Sequence, residues 1–397
     1  MTTPPTILFG AFDRHNFGDL LFPHVATALL PGRQLIFAGL AERDMRPWGG
    51  HPVHALTQLA REWGGRQVRL IHAGGELLTC RAWQAAVMLQ PPVAAQLIAN
   101  RLDASPSAQQ AWAERVLGLP SRAPYCIPPR LFPAAERLVY CAVGGVDLAD
   151  SPPELRDEVI ADLRAADAVG VRDRLTLAHL RSAGIPARLM PDPAVMVAEL
   201  FGPTIAEHAG RGELADIRHA CPNGYLAVQL GADFGDDATL AAVAVQLDRA
   251  AAASGCGIVL FRAGAAPWHD DLDCLQRLAA QLTTRPLTIL DSLHLWDICA
   301  LIANCRAYCG SSLHGRIVAM AFALPRINLL HPSQAGQPTK QAAFAATWEA
   351  PDHPGAVHVA DLAGSLGRAL ATDPARRHLT AGRLVGEYRE AFAALGA

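Results

Sequence analysis

Residues 307–329 read AYCGSSLHGRIVAMAFALPRINL. Ala307 to Cys309 is a short apolar run with the character of a buried strand. Gly310, Ser311 and Ser312 then interrupt it. From Leu313 to Leu324 the apolar residues recur at helical spacing, and Pro325 ends the helix. Arg326 to Leu329 is apolar again. Strand, helix and strand in this order form a βαβ unit, whose crossover sets the two strands parallel. The turn carries two hydroxyls, and His314 and Arg316 occupy the helix's first turn. A helix N-terminus presents unbonded N–H groups and a partial positive charge, so this combination suits an anion. The alternative use of the same residues is structural, with Ser311 or Ser312 capping the helix and His314 buried.

The same alternation extends along the chain. Upstream, strands are expected at 6–11, 34–38, 67–72, 138–143, 168–171 and 187–190. Helices are expected at 19–30, 82–118 with a break at Pro91-Pro92, 154–166 and 174–183. The interval 191–224 is rich in proline and glycine and reads as an interdomain region with a short helix. Strands then return at 225–230, 257–262 and 287–290, alternating with helices at 238–254, 270–282 and 295–303. Further helices are expected at 341–347, 362–371 and 374–395. This pattern predicts α/β architecture with mainly parallel sheets. A chain of 397 residues is too long for one ordinary core. The expectation is two doubly wound, Rossmann-like domains facing across a cleft, as in the GT-B architecture. They would span 1–200 and 201–375, with a terminal helix over 376–397 packing back on the first.

Composition excludes several classes. The net charge is −3, and no basic stripe marks a nucleic-acid binder. The nine cysteines form no CxxC pair, which argues against a zinc ribbon or a disulfide framework and for free thiols in a reducing cytosol. No metal site is expected. No run of about 20 apolar residues avoids charge, and the N-terminus lacks a signal-peptide pattern. A cytoplasmic protein is expected, with peripheral contact to membrane-bound, lipid-linked glycans still open to it. The sequence does not fix an oligomeric state. Lys340 is the only lysine among 34 basic residues.

Three other strand ends carry polar residues. Gly10 to Asp19 places Asn16, Gly18 and Asp19 at the opening of the first helix, where Asn16 or Asp19 would also serve as a plain cap. The spacing does not fit the GxGxxG dinucleotide pattern. His72 to Glu76 brings the paired glycines Gly74 and Gly75, with Glu76, to the end of another strand. Paired glycines fit either a close approach to a ligand or a tight turn. Arg172 ends the Val169–Val171 strand, and Asp192 ends the next. Arg172 could present its planar fork to a carboxylate or phosphate, or hold the turn in a salt bridge. No GxSxG elbow, Walker A loop, HExxH or kinase set is present.

Taken in order, these segments resemble the polysaccharide pyruvyl transferase family. The resemblance rests on Asn16-Phe17-Gly18-Asp19, Gly74-Gly75-Glu76, and Val171-Arg172-Asp173 followed by Gly184 and Asp192-Pro193. It continues through Ser312-Leu313-His314 to Ala319 and Pro325, with Lys340 downstream. Ser312 stands where ketal-forming members usually carry arginine, and Arg316 is the nearby residue that could supply that charge. The middle strand reads Val143-Gly144-Gly145-Val146 without the family's usual proline.

The resemblance implies transfer of a pyruvyl group from phosphoenolpyruvate to a sugar hydroxyl pair of a polysaccharide or its precursor, releasing phosphate. Phosphoenolpyruvate is a co-substrate, and no cofactor is expected. On this view His314, Arg172 and Arg316 hold phosphoenolpyruvate with Ser311 and Ser312, His314 also acting as general acid. Asp19 is the base for the acceptor hydroxyl, and Asn16 orients the sugar. The alternatives are a nucleotide-sugar-dependent GT-B glycosyltransferase and a non-catalytic carbohydrate-binding relative.

Overall fold

A computed structural model describes residues 4–103, 105–334 and 336–396. The chain divides into two units, Met1–Pro193 with Glu387–Ala397, and Ala194–Gly386. The sequence placed the division near residue 200.

The first unit holds an eight-stranded sheet. Its strands are β1 (Thr6–Phe9), β2 (Leu35–Gly39), β3 (Arg43–Asp44), β4 (Pro52–Ala55), β5 (Arg69–Ala73), β6 (Arg137–Val143), β7 (Ala168–Val171) and β8 (Arg188–Leu189), in the spatial order β3-β4-β2-β1-β5-β6-β7-β8. All neighbours run parallel except β3 and β4. The β1 register sets Ile7 opposite Ile36 on one side and Leu70 on the other. Ile7, Phe9, Leu70, Tyr140 and Val143 are fully or nearly fully buried and form the core with the covering helices. Each such apolar side chain contributes about 1.5–3 kcal/mol on leaving water.

The region expected to be helical over 82–118 is three helices, Ala82–Met88, Pro92–Leu102 and Pro106–Leu117. The prolines open the second and third, where a missing N–H costs nothing. The last residues of the chain complete this unit. Arg69 and Arg137 each donate to a C-terminal carbonyl, of Gly396 and Leu395 respectively, both at 2.7 Å. Tyr388 is buried and packs on Phe392, with its hydroxyl 3.7 Å from Cys141 Sγ.

The second unit holds six parallel strands: β9 (Tyr225–Gln229), β10 (Gly257–Leu260), β11 (Leu287–Ile289), β12 (Ala307–Gly310), β13 (Arg326–Leu330) and β14 (Ala356–His358). The spatial order is β11-β10-β9-β12-β13-β14. The long helix Asp237–Ser254 shows how local sequence sets an element. The Asp236 carboxylate accepts the Thr239 N–H at 2.9 Å and caps its start. Gly255 ends it with φ 68°, a left-handed conformation.

The interval 191–224 departs from expectation. It contains two helices, Val197–Ala209 and Gly212–Ala220, with Pro203 inside the first. Proline removes one intrahelical hydrogen bond, but the buried Val197, Ile205 and Ala209 anchor that helix regardless. The cysteines carry no disulfide, and eight of the nine are buried, Cys80 being half-buried. Among the described residues, no helix is long and apolar enough to cross a membrane.

Candidate functional site

In an open parallel sheet, ligands bind at the carboxyl ends of the strands where the winding direction reverses. In the second unit the chain winds outward from β9 to β10 and β11, then returns to place β12 on the other side of β9. The reversal therefore falls between β9 and β12. The Gly310–Ser312 turn leaves β12 at this point.

Ser312 is the N-cap of the helix Leu313–Ala321, and its Oγ accepts the Gly315 N–H at 3.2 Å. The structural use of Ser312 foreseen from sequence is thus present. The Ser311 Oγ accepts the Gly231 N–H at 2.8 Å, which ties the turn to the segment after β9. His314 lies in the helix's first turn and is 8% exposed. Gly315 has no substitute, since a Cβ there would lie 2.4 Å from the Tyr308 hydroxyl.

Residues that sequence reading did not single out shape this turn. Gln229, at the end of β9, accepts the Ser312 N–H at 2.7 Å through Oε1. Asn328 on β13 donates to the carbonyls of Gly310 and Ser312 at 2.8 and 3.0 Å. The Tyr308 hydroxyl donates to the Ser312 carbonyl at 2.9 Å. Gln341 donates to the Ser311 carbonyl at 2.7 Å, which brings the start of the helix Lys340–Trp348 to the turn. Lys340, the residue before Gln341, is exposed. Arg262 follows β10 by two residues, and its buried Nε has no hydrogen-bond partner among the described residues. For Gln229 and Arg262 the signal was their place at strand ends; their polarity alone did not distinguish them.

Arg316 is a correction to the expected anion clamp. It is fully buried, and four of the five N–H donors of its guanidinium are engaged within the protein. It donates to Glu349 Oε1 at 3.1 and 2.8 Å, and to the carbonyls of Gly355 and Pro354 at 3.2 and 3.0 Å. Arg326, also buried, binds the same carboxylate. Burial opposes a charge on Glu349, but the two guanidiniums outweigh it and hold the carboxyl down at about 2. Arg316 therefore does not replace the arginine position occupied by Ser312.

In the first unit the reversal falls between β1 and β5, since β2 lies on one side of β1 and β5 on the other. Both early motifs leave these two strands. Asn16 is the N-cap of the helix Phe17–Leu29, its side-chain Oδ1 accepting the Gly18 N–H at 3.2 Å. Asp19 lies buried in the first turn, where the helix dipole favours a carboxylate. Gly74 and Gly75 adopt φ of 63° and 80°, open to glycine at little cost. A Cβ on Gly74 would lie 2.3 Å from the Phe22 ring, and one on Gly75 would lie 3.5 Å from Asp19 Oδ1. The glycine pair thus lets β5 turn beside Asp19. His72, just before it, is a satisfied core residue. It accepts the Ile127 N–H at 3.2 Å, stacks on Tyr140, and is pushed by burial down to about 3.

Arg172 is the second correction. It is 2% exposed and lies between Glu76 Oε2 at 2.5 Å and Asp192 Oδ2 at 3.0 Å. Glu76 also accepts the Val146 N–H at 2.8 Å. Burial disfavours the Arg172 charge, but the two carboxylates raise its pKa overall. Arg172, Glu76 and Asp192 are brought together, and they hold three strand ends; they do not present an open fork to a ligand. Gly144 leaves the space for this arrangement, since a Cβ there would lie 2.3 Å from Glu76 Oε2.

His208, His294 and Asp297 offer ligand atoms within 4.8 Å of one another and could in principle hold a metal. The geometry favours an ion network instead. The His208 Nδ1 pairs with Asp297 at 2.5 Å, and Arg211 stands 2.6 Å from its Nε2. Ser292 donates to the other Asp297 oxygen at 2.6 Å. A guanidinium beside the imidazole opposes a second cation.

Residues 137–332, about half of the chain, match the family model described as Polysaccharide pyruvyl transferase, and over that span the chain belongs to this family. The motifs at 171–173, 192–193 and 312–325 lie inside the match, whereas Asn16–Asp19, Gly74–Glu76 and Lys340 lie outside it. No curated protein matches the sequence. Among solved structures, the chain is similar to UDP-GlcNAc 2-epimerase from Neisseria meningitidis bound to UDP-GlcNAc, with 10% identity, TM-score 0.55, and 99% of each chain covered. It is similar to UDP-GlcNAc 2-epimerase from Methanocaldococcus jannaschii, with 10% identity, TM-score 0.54, and 93% of this chain and 92% of that chain covered. It is also similar to α,α-trehalose 6-phosphate synthase from Burkholderia multivorans, with 13% identity, TM-score 0.51, and 99% of this chain and 98% of that chain covered. At such identities these likenesses concern the fold, which is GT-B-like.

Proposed function

We propose that this chain transfers a pyruvyl group from phosphoenolpyruvate to a pair of hydroxyls on a polysaccharide or its precursor, releasing phosphate. The observation that carries the reading is His314 in the first turn of the helix that opens at the winding reversal of the second unit, within the family match. The match supports an enzyme of this kind.

The chemistry starts with a proton added to C3 of phosphoenolpyruvate, which leaves C2 cation-like. One sugar hydroxyl forms a bond to C2 and gives up its proton to a base. The bond from C2 to the phosphate oxygen then breaks, and phosphate leaves with the electron pair. The second hydroxyl closes the ketal and loses its proton. His314 is the proposed acid, and Asp19 the proposed base, with Asn16 beside it to orient the sugar. Ser311 and the helix N-terminus face the anion. With Arg172 and Arg316 committed to internal ion pairs, the cationic contacts fall to Lys340 and Arg262. Arg262 carries the buried Nε without a partner, and Lys340 adjoins the Gln341 contact to the turn. Contact with a membrane-bound, lipid-linked acceptor fits this reaction class.

The test is phosphoenolpyruvate-dependent phosphate release by the purified chain with free and lipid-linked sugar acceptors. A positioned acid is typically worth about 10²–10⁴-fold. His314→Ala is therefore expected to lose at least about 100-fold in turnover. Undiminished turnover by this variant overturns the assignment. A melting shift with a uridine diphosphate sugar and none with phosphoenolpyruvate would select the glycosyltransferase reading.

A further inference from the structure

Among the contacts of the Gly310–Ser312 turn, three donors meet one carboxamide oxygen. Gln229 is 1% exposed. Its Oε1 accepts the Ser312 N–H at 2.7 Å, with the hydroxyls of Ser311 and Tyr308 at 3.4 and 3.5 Å. Its Nε2 donates to Asp270 Oδ1 at 2.8 Å. A carboxamide accepts at one end and donates at the other, so its orientation decides whether the turn meets an acceptor or a donor. The orientation is set from the Asp270 side. Asp270 Oδ2 already accepts the N–H groups of Ala263 and Gly264 at 2.5 and 3.3 Å, which leaves Oδ1 for Gln229.

We propose that Asp270 is a positioning residue, which through Gln229 fixes the shape of the Gly310–Ser312 turn and does so in its ionised form. A proton added to Asp270 goes to Oδ1, because Oδ2 faces two donors. Oδ1–H then confronts Gln229 Nε2, donor against donor. Turning the carboxamide over relieves that contact but sets Nε2 against the Ser312 N–H. Either way a buried hydrogen bond that holds the turn is lost, directly at Ser312 or one step back between Gln229 and Asp270. Burial pushes Asp270 up to about 7, against the pull of the Ala263, Gln229 and Gly264 donors, and Asp233 raises it further. The other titratable neighbours are Tyr308 and Cys274, both pushed up by burial and so neutral, and His269 beside it in the loop. The hold on the turn therefore weakens as pH falls through neutrality.

The inference deepens the functional reading, because it makes this turn the ligand site's adjustable part. A ligand-free measurement separates the two. Amide hydrogen exchange of residues 310–316 in the full chain, corrected for intrinsic rates, is followed from pH 6 to pH 8. Wild type is expected to lose about tenfold in protection at the low end, the effect of one lost hydrogen bond. Asp270→Asn should show the low protection at every pH. Its carbonyl stays with the two backbone donors, and its amide nitrogen faces Gln229. Should that variant not fold, Gln229→Met cuts the same link and should also give low, pH-independent protection. A wild-type profile flat in pH, or a wild-type profile in the folded variants, overturns the proposal. With turnover measurable, Asp270→Asn should raise KM for phosphoenolpyruvate about tenfold and leave kcat within about threefold. Unchanged KM and unchanged pH dependence also overturn it. Absence of any turnover, with the exchange result intact, counts against pyruvyl transfer alone.

Discussion

Replacing Glu349 by glutamine would leave two buried guanidiniums facing a neutral amide. The wild-type carboxylate is 4% exposed and lies against Arg316 and Arg326, themselves 0% and 1% exposed. Its two oxygens take four N–H donors from these arginines, at 2.6 to 3.1 Å. The carboxyl falls from 4.5 to about 2 on folding. At about 1.4 kcal/mol per unit, that difference corresponds to about 3 kcal/mol of stability at neutral pH. Breaking a buried pair by removing one partner typically costs about 3–5 kcal/mol. The two routes agree, and glutamine keeps the volume and one acceptor, so about 3 kcal/mol is expected. For a unit of this size that is roughly 6–12 °C in Tm. The folded value is depressed, so the contribution is complete above pH 4.5 and fades as pH falls toward 2. Differential scanning calorimetry of wild type and Glu349→Gln, at pH 7 and at the lowest pH where both fold, reads both quantities. A Tm within about 2 °C of wild type at pH 7, or a gap that does not narrow in acid, refutes the reasoning and returns Arg316 to the list of ligand contacts.

Other outcomes follow from the same kind of geometry. Asp162 is 7% exposed, and burial, with Glu158 adding to it and Arg130 opposing, raises its carboxyl to about 7. The raised value means stability is present below about 4 and lost as pH rises through 7, so Asp162→Asn should stabilise the protein by about 1–2 kcal/mol at pH 8 and not at pH 4, allowing for partial access to water; urea titrations at the two pH values decide. Gly144→Ala drives a methyl against Glu76 and Arg172 and should cost about 2–4 kcal/mol, seen as a lower melting temperature of the first unit. Tyr388→Ala removes a buried ring that packs on Phe392 beside Cys141 and should cost about 3–5 kcal/mol in denaturant titration.

Much of the fold was legible because each βα step places its apolar run and its turn residues close together in sequence. The 307–329 stretch needed no distant partner to be read. The interval 191–224 was read as holding one short helix where it holds two, because Pro203 and the surrounding glycines outweighed an apolar face that only tertiary packing makes decisive. For the site, strand-end position identified Asn16, Asp19, Gly74, Gly75, Ser311, Ser312 and His314. It could not distinguish an arginine that meets a ligand from one that meets a carboxylate far along the chain. Arg172 finds Glu76 ninety-six residues earlier, and Arg316 finds Glu349 thirty-three residues later. The same distance in sequence hid Gln229, Asp270 and Arg262, whose neighbours exist only once the strands are ordered. The Lys340 signal, one lysine against an arginine background, was compositional and needed the Gln341 contact to acquire a place.

The return of Glu387–Ala397 to the first unit has a consequence for synthesis. During translation the residues up to Pro193 emerge before the second unit, yet the carbonyls that receive Arg69 and Arg137 emerge only after it. The second unit has all of its own chain before the first has all of its own. The early-made half must therefore wait in an unfinished state while nearly two hundred later residues fold, and a nascent chain arrested before Glu387 would display that waiting state to chaperones and proteases.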